Sequence, residues 1–308
     1  MRAAILHGHR DLRVEQVPEP VGEVLVEVEA ATTCGTDVKM WQRGHPVLPP
    51  YPCPFGHETA GRRLDNGERV LVSDSVACGR CEPCASGREQ ICRAPRWVLG
   101  GFAERIAAPL KALHAIPPQL PSAAAAMAEP LAAALHAIAR GTEADDVGVL
   151  GGGPMGLMVA SLLVARGRSV TVADRHPERR AQASELGARG VERLELHDLV
   201  FEVVGRPETW RAAVEAVAPG GVVVLVGGCP AGAEVPVPAT AVHYDELELR
   251  GAFHHSREEV DRALATLAAG ELDWAALLGE RISLEELPRA LSIQDGRRAT
   301  KWVVDPRR

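Results

Sequence analysis

Aromatic residues are scarce: only 4% of the 308 residues are Phe, Trp or Tyr. Aliphatic side chains and alanine must therefore supply most of the core. An excess of positive charge is missing too. Against 41 acidic residues stand 34 Lys and Arg, a net charge of −7, which leaves no basic footprint for nucleic acid or an anionic membrane. No internal repeat and no low-complexity tail is present, and the segment Met1 to Arg10 meets polar residues too soon for a signal-peptide apolar region. The longest uncharged run goes from Val147 to Ala165. Gly151, Gly152, Gly153 and Pro154 interrupt it after a few strand-like residues, so it reads as a buried strand, a tight turn and a buried helix rather than a membrane span. These absences leave a chain long enough for two domains, expected to act on a small molecule.

Seven cysteines are present. Four of them, Cys78, Cys81, Cys84 and Cys92, follow the spacing C-x2-C-x2-C-x7-C. Thiolates this close, among small and turn-forming neighbours, can close a tetrahedral shell around a structural zinc. Two local disulfides would need an oxidising compartment, and an iron-sulfur cluster usually has other spacings. Metal-like cysteines point to a reducing, cytoplasmic setting.

The first third reads as β and loop. Val24, Val26 and Val28 alternate with acidic residues in a half-exposed strand over Val21 to Ala31, and prolines crowd residues 46 to 54. Ser122 to Arg140 reads as helix interrupted at Glu129-Pro130. Apolar strands then alternate with amphipathic helices: strands at 147–150, 169–173, 199–204 and 222–226, with helices between them. That alternation predicts a doubly wound parallel sheet. Further helices are expected at 256–269 and 284–291, and a last strand at Lys301 to Val304.

Gly151-Gly-Gly153-Pro154-Met155-Gly156 fits G-x-G-x-x-G between a strand and a helix. There the backbone can turn sharply and approach a pyrophosphate held by the helix N-terminus. The next strand ends in Asp174, at the separation where a carboxylate reaches the adenosine ribose and favours NAD over NADP. The other reading of Asp174 is a strand-end acid that caps the following helix. Arg175 beside it could welcome a 2′-phosphate, contact the adenine face, or stay solvated.

Cys34, His57, Glu58 and Glu129 each have an ordinary structural reading when taken alone. Taken in order, Cys34-Gly-Thr36-Asp37, Gly56-His57-Glu58, the cysteine lobe, Gly100-Gly-Phe-Ala-Glu104, Glu129-Pro-Leu131 and Gly151 to Gly156 resemble the zinc-dependent medium-chain alcohol dehydrogenases over nearly the whole chain. Glu129-Pro-Leu131 is similar to the polyol, sugar and threonine dehydrogenase branch. The resemblance implies a GroES-like β domain (residues 1–130 and 255–308) and a Rossmann domain (131–254). It also implies two zincs per chain, NAD, and a homodimer or homotetramer. Cys34, His57 and Glu129 would hold a catalytic zinc, with Glu58 beside it and Asp37 orienting His57. Thr36 would accept the substrate proton. The reaction expected is hydride transfer between NAD and a secondary alcohol: a polyol, cyclitol, sugar or amino alcohol, with L-threonine as the nearest rival.

The sequence also departs from the family pattern. Lys39 stands where many relatives carry a relay histidine. The stretches Gly61 to Val70 and Gly187 to Leu199 are short, the second lacking a helix of the nucleotide sheet. A zinc-stabilised nucleotide-binding protein without turnover is the reading from another class.

Overall fold

The computed structural model describes residues 1–293 and 300–308. In the first part of the chain the strands Val24–Thr32, Glu58–Arg63, Arg69–Val72 and Leu113–Ala115 lie side by side, antiparallel throughout. The last strand, Lys301–Val304, joins their sheet beside Val24–Thr32, and Leu278–Ile282 continues it. Val24, Val26 and Val28 are buried on one face, together with Phe55, Phe102 and Ile106. The expected alternation therefore holds, though the strand begins at Val24 rather than Val21.

Six parallel strands form the second sheet. Asp146–Leu150 and His197–Glu202 lie at its centre. Ser169–Ala173 and Arg189–Val191 extend one side, Val217–Leu225 and Glu248–Gly251 the other. Numbered within this sheet, the order is 3-2-1-4-5-6, which places the switch of direction between Asp146–Leu150 and His197–Glu202. Side chains alternate faces: Leu199, Phe201, Val222 and Val224 meet one core, while Val200 and Val223 meet the other. The uncharged run resolves into the strand Asp146–Leu150 and the helix Pro154–Ala165, and no described helix is long and apolar enough to cross a membrane.

The shortened crossover has a physical basis. Only residues 192–196 connect the edge strand Arg189–Val191 to the central strand His197–Glu202, with no helix between them. A Cβ on Gly148 would stand 2.8 Å from His197 and 3.0 Å from Leu194. Glycine there lets the crossover lie flat on the sheet, and His197 Nδ1 anchors it 2.9 Å from Asp146.

Two expectations shift. The break in the alanine-rich helix falls at Met127, so Glu129 and Pro130 sit in the first turn of the helix Ala128–Ala139, where proline's missing N–H costs nothing. The chain also rejoins the β domain later than residue 255. Val260, Ala263, Leu264 and Leu267 of helix Arg257–Ala269 pack in the core of the nucleotide sheet, and the β sheet is regained only at Leu278.

Candidate active site

A cleft of about 1380 Å³ separates the two sheets. Its walls include Cys34, Thr36, Lys39, His57, Glu58 and Glu129 on one side, and Gly153, Pro154, Met155 and Gly156 on the other. Cys34 is the N-cap of a helix, Gly35–Arg43, that sequence reading left as loop. Its sulfur accepts from Thr36 N–H, while the Asp37 carboxylate accepts from Cys34 N–H at 2.8 Å. Asp37 also faces His57 Nδ1 at 3.2 Å, so its carboxylate fixes both the cap and the imidazole. The other ring nitrogen, His57 Nε2, lies 3.2 Å from Cys34 Sγ. Burial pushes the Cys34 thiol up, and the charges of Cys34 and Asp37 hold His57 well above its ordinary value despite burial.

Two carboxylates complete this floor. His57, Glu58 and Glu129 bring their ligand atoms within 4.8 Å of one another, as do Cys34, Asp37 and His57. The two groups share His57, and the thiolate, imidazole and carboxylates they offer are ligand types that suit zinc. Glu129 lies 3.3 Å from His255 Nε2. Burial alone would raise it, but the hydrogen bond with His255 and the nearby imidazoles prevail and hold it at about 2.

Glu58, grouped with His57 and Glu129, also has partners on its other side. It is completely buried, ion-paired at 2.7 Å to Lys301 Nζ and hydrogen-bonded by Thr32 Oγ1. Sequence reading missed Lys301, Asp74, His254 and His255. A lysine opening an otherwise apolar terminal strand was the available signal for the first. The other three carried none until the fold brought them to the cleft.

The cysteine lobe brings all four sulfurs together. Cys81 lies 3.4 Å from Cys84 and 3.8 Å from Cys92, and Cys78 lies 4.0 Å from Cys84. These separations exceed a disulfide bond of ~2.05 Å, and all four thiols are free. Backbone N–H groups, those of Arg93 and Cys84 foremost, bring Cys81 down to about 6, while burial and the hydrogen bonds of its neighbours push Cys84 up to about 12. Arg88, Gln90 and Ile91 carry the lobe to the cleft rim.

At the glycine turn, Gly151 has φ +115°, and a Cβ there would meet Val204 at 2.6 Å. A Cβ on Gly156 would lie 1.8 Å from Gly151 O, so close helix-strand packing excludes one. A Cβ on Gly153, the N-cap of helix Pro154–Ala165, would meet nothing among the described residues within 4 Å, so there is open space at that helix N-terminus. Asp174 accepts from Gly152 N–H and from His176 N–H, each at 2.8 Å. It thus ties the glycine turn to the end of the second strand; the cap of the following helix Pro177–Glu185 is His176, whose side chain makes no capping hydrogen bond. Arg179 stands 3.6 Å away, and Arg175 Nε lies 2.9 Å from His176 Nε2.

The alcohol dehydrogenase GroES-like domain matches residues 20–118, and the zinc-binding dehydrogenase domain matches residues 154–269. L-threonine 3-dehydrogenase of Chelativorans sp. (strain BNC1) is 31% identical, over 96% of this chain and 95% of its own length. This chain belongs to the zinc-type medium-chain alcohol dehydrogenases, in their polyol and threonine branch. Within this dehydrogenase family, sorbitol dehydrogenase of Bacillus subtilis (strain 168) is 28% identical over 100% of this chain and 98% of its own. A zinc-binding dehydrogenase from Sinorhizobium meliloti 1021, solved bound to NADP, superposes with a TM-score of 0.88 at 29% identity, covering 99% of each chain.

Proposed function

We propose that the protein is a zinc-dependent, NAD-linked dehydrogenase of secondary alcohols, acting reversibly on a polyol, cyclitol, sugar or amino alcohol. The observation that carries this reading is the convergence of Cys34, His57, Glu58 and Glu129 on one cleft floor, facing the glycine turn across the cleft. Cys34, His57 and Glu129 would hold the catalytic zinc, and Cys78, Cys81, Cys84 and Cys92 a structural one. Bound there, the catalytic zinc would supply Lewis acidity toward the substrate oxygen.

The chain's own residues provide the rest. Asp37 keeps the His57 ring oriented through Nδ1. Thr36 lies two residues after Cys34 on the cleft wall, where its hydroxyl can take the alcohol proton. Lys39, on the same helix, is partly buried. Burial and Arg43 lower its pKa, and Cys34, Glu202 and Cys229 are near enough to act on it. It therefore stands between the two domains, where it can contact the nicotinamide ribose or carry the proton outward. Gly153 and the N-terminus of helix Pro154–Ala165 would receive the pyrophosphate.

NAD is proposed over NADP because Asp174, fixed by two N–H donors, holds a carboxylate beside the glycine turn. Arg175 and Arg179 are the groups that would favour NADP, which the Sinorhizobium relative binds. Threonine as substrate is the second reading, supported by the 31% identity to a threonine dehydrogenase. The test is His57→Ala in protein with measured zinc content. Turnover should vanish while the lobe zinc and the fold persist, and retained turnover would refute the assignment.

A further inference from the structure

Beside Glu129 the cleft holds a second polar group that the zinc and nucleotide sites do not use. Asp74 is 7% exposed and His255 5%. Asp74 Oδ1 lies 3.5 Å from His254 Nε2 and 3.6 Å from His255 Nε2, and among the described residues no donor reaches Asp74 Oδ1 with good hydrogen-bond geometry. His254 is held in place: its Nε2 lies 2.8 Å from Ser75 Oγ, and its ring stacks on Trp97 at 5.4 Å and 17°. Asp74, Trp97 and His254 line the same cleft as Cys34 and His57. A buried carboxylate oxygen without a donor is costly. At a cleft wall the missing donor can come from a ligand.

We propose that Asp74 is a specificity-determining residue that accepts a hydrogen bond from a second hydroxyl of the substrate, close to the carbon being oxidised. The preferred substrate is then a polyol or cyclitol rather than a simple alcohol, an inference that rests on the dehydrogenase reading above. A carboxylate suits a hydroxyl donor, and a neutral hydroxyl adds no positive charge beside the catalytic zinc, as an ammonium would. Trp97 and His254 offer a flat wall for the carbon skeleton. His255, between Glu129 and Asp74, positions both carboxylates. The four donor atoms also lie within reach of a common cation, but the contact between His254 Nε2 and Ser75 favours the organic ligand.

The experiment compares kcat/KM for 2,3-butanediol, 2-butanol and 1-amino-2-propanol in the wild type, Asp74→Asn and Asp74→Leu, with metal content measured for each. The wild type should prefer the diol to the mono-alcohol on the order of a hundredfold, the upper end of what one hydrogen bond to a charged acceptor contributes. Asp74→Leu should bring that ratio toward one, and Asp74→Asn, which keeps an acceptor oxygen, should retain part of it. A ratio unchanged in Asp74→Leu would overturn the proposal, as would preference for the amine or loss of a third metal. Turnover without discrimination in the wild type would overturn this proposal alone. No turnover of any substrate by zinc-loaded wild type would overturn the dehydrogenase reading with it.

Discussion

Lys301 and Glu58 lie 243 positions apart in the sequence, yet their charged ends meet at 2.7 Å with both side chains almost wholly buried. Strand register explains the meeting. Thr32 pairs with Glu58 on one side and with Val303 on the other, so the terminal strand delivers Lys301 to the cleft floor. Burial pushes Glu58 up to about 7 even with this cation beside it, and Glu58, Cys34 and Asp37 keep Lys301 charged.

Removing one partner should therefore cost more than removing both. Lys301→Met leaves a buried carboxylate unpaired and should destabilise the protein by ~3–5 kcal/mol. The double variant Lys301→Met/Glu58→Gln should recover part of that loss. Denaturant unfolding of the two variants checks this, and equal losses would mean that the pair is not coupled.

The fold was legible in the sequence wherever local chemistry decided it. Four closely spaced cysteines, a glycine turn between strand and helix, and strands alternating with helices are all short-range signals, and the structure contains each. Asp74, His254, His255 and Lys301 were not legible. Their meeting depends on sheet register and on the packing of two domains, and no local spacing records that. The helix Gly35–Arg43 was missed because Cys34 is an unusual cap and Gly35 a poor helix former.

Cys81→Ser should lose one of two zincs and lower thermal stability without touching the cleft floor. The lobe has few apolar contacts of its own, so the metal supplies much of its order. A loss of ~2 kcal/mol would lower Tm by roughly 4–8 °C. Metal analysis with calorimetry is the check, and an unchanged zinc content would contradict the four-thiolate assignment.

Cofactor choice should depend on Asp174. A 2′-phosphate would face this carboxylate in a cleft that screens less than water, so a preference for NAD of about a hundredfold, or ~2.8 kcal/mol, is expected. Asp174→Ala should weaken NAD and improve NADP, because the carboxylate that repels the 2′-phosphate is gone while the cationic Arg179 remains beside its place. Wild-type kinetics equal for the two cofactors would show that the carboxylate does not face the ribose.

A pH dependence should arise at the seam between domains. His114 Nδ1 lies 2.6 Å from Asp261 Oδ1, and burial outweighs this partner to lower the imidazole's pKa. Below about 6.5 the unfolded chain then binds a proton that the folded one refuses, so stability should fall as pH drops through that region. The slope from this one group cannot exceed ~1.4 kcal/mol per pH unit. His114→Gln should flatten it in thermal melts recorded across that range, and an unchanged slope would place the effect elsewhere.

The most direct measurement of the central claim follows nicotinamide reduction while zinc-loaded protein is offered polyols, cyclitols and amino alcohols with NAD. The same assay is repeated after a chelator has stripped the open site and again after zinc is restored. NAD reduction with at least one secondary alcohol, lost with the accessible zinc and regained with it, is the result predicted. Two bound zincs and bound NAD without turnover of any alcohol in the panel would contradict the enzyme and leave a zinc-stabilised nucleotide-binding protein in its place.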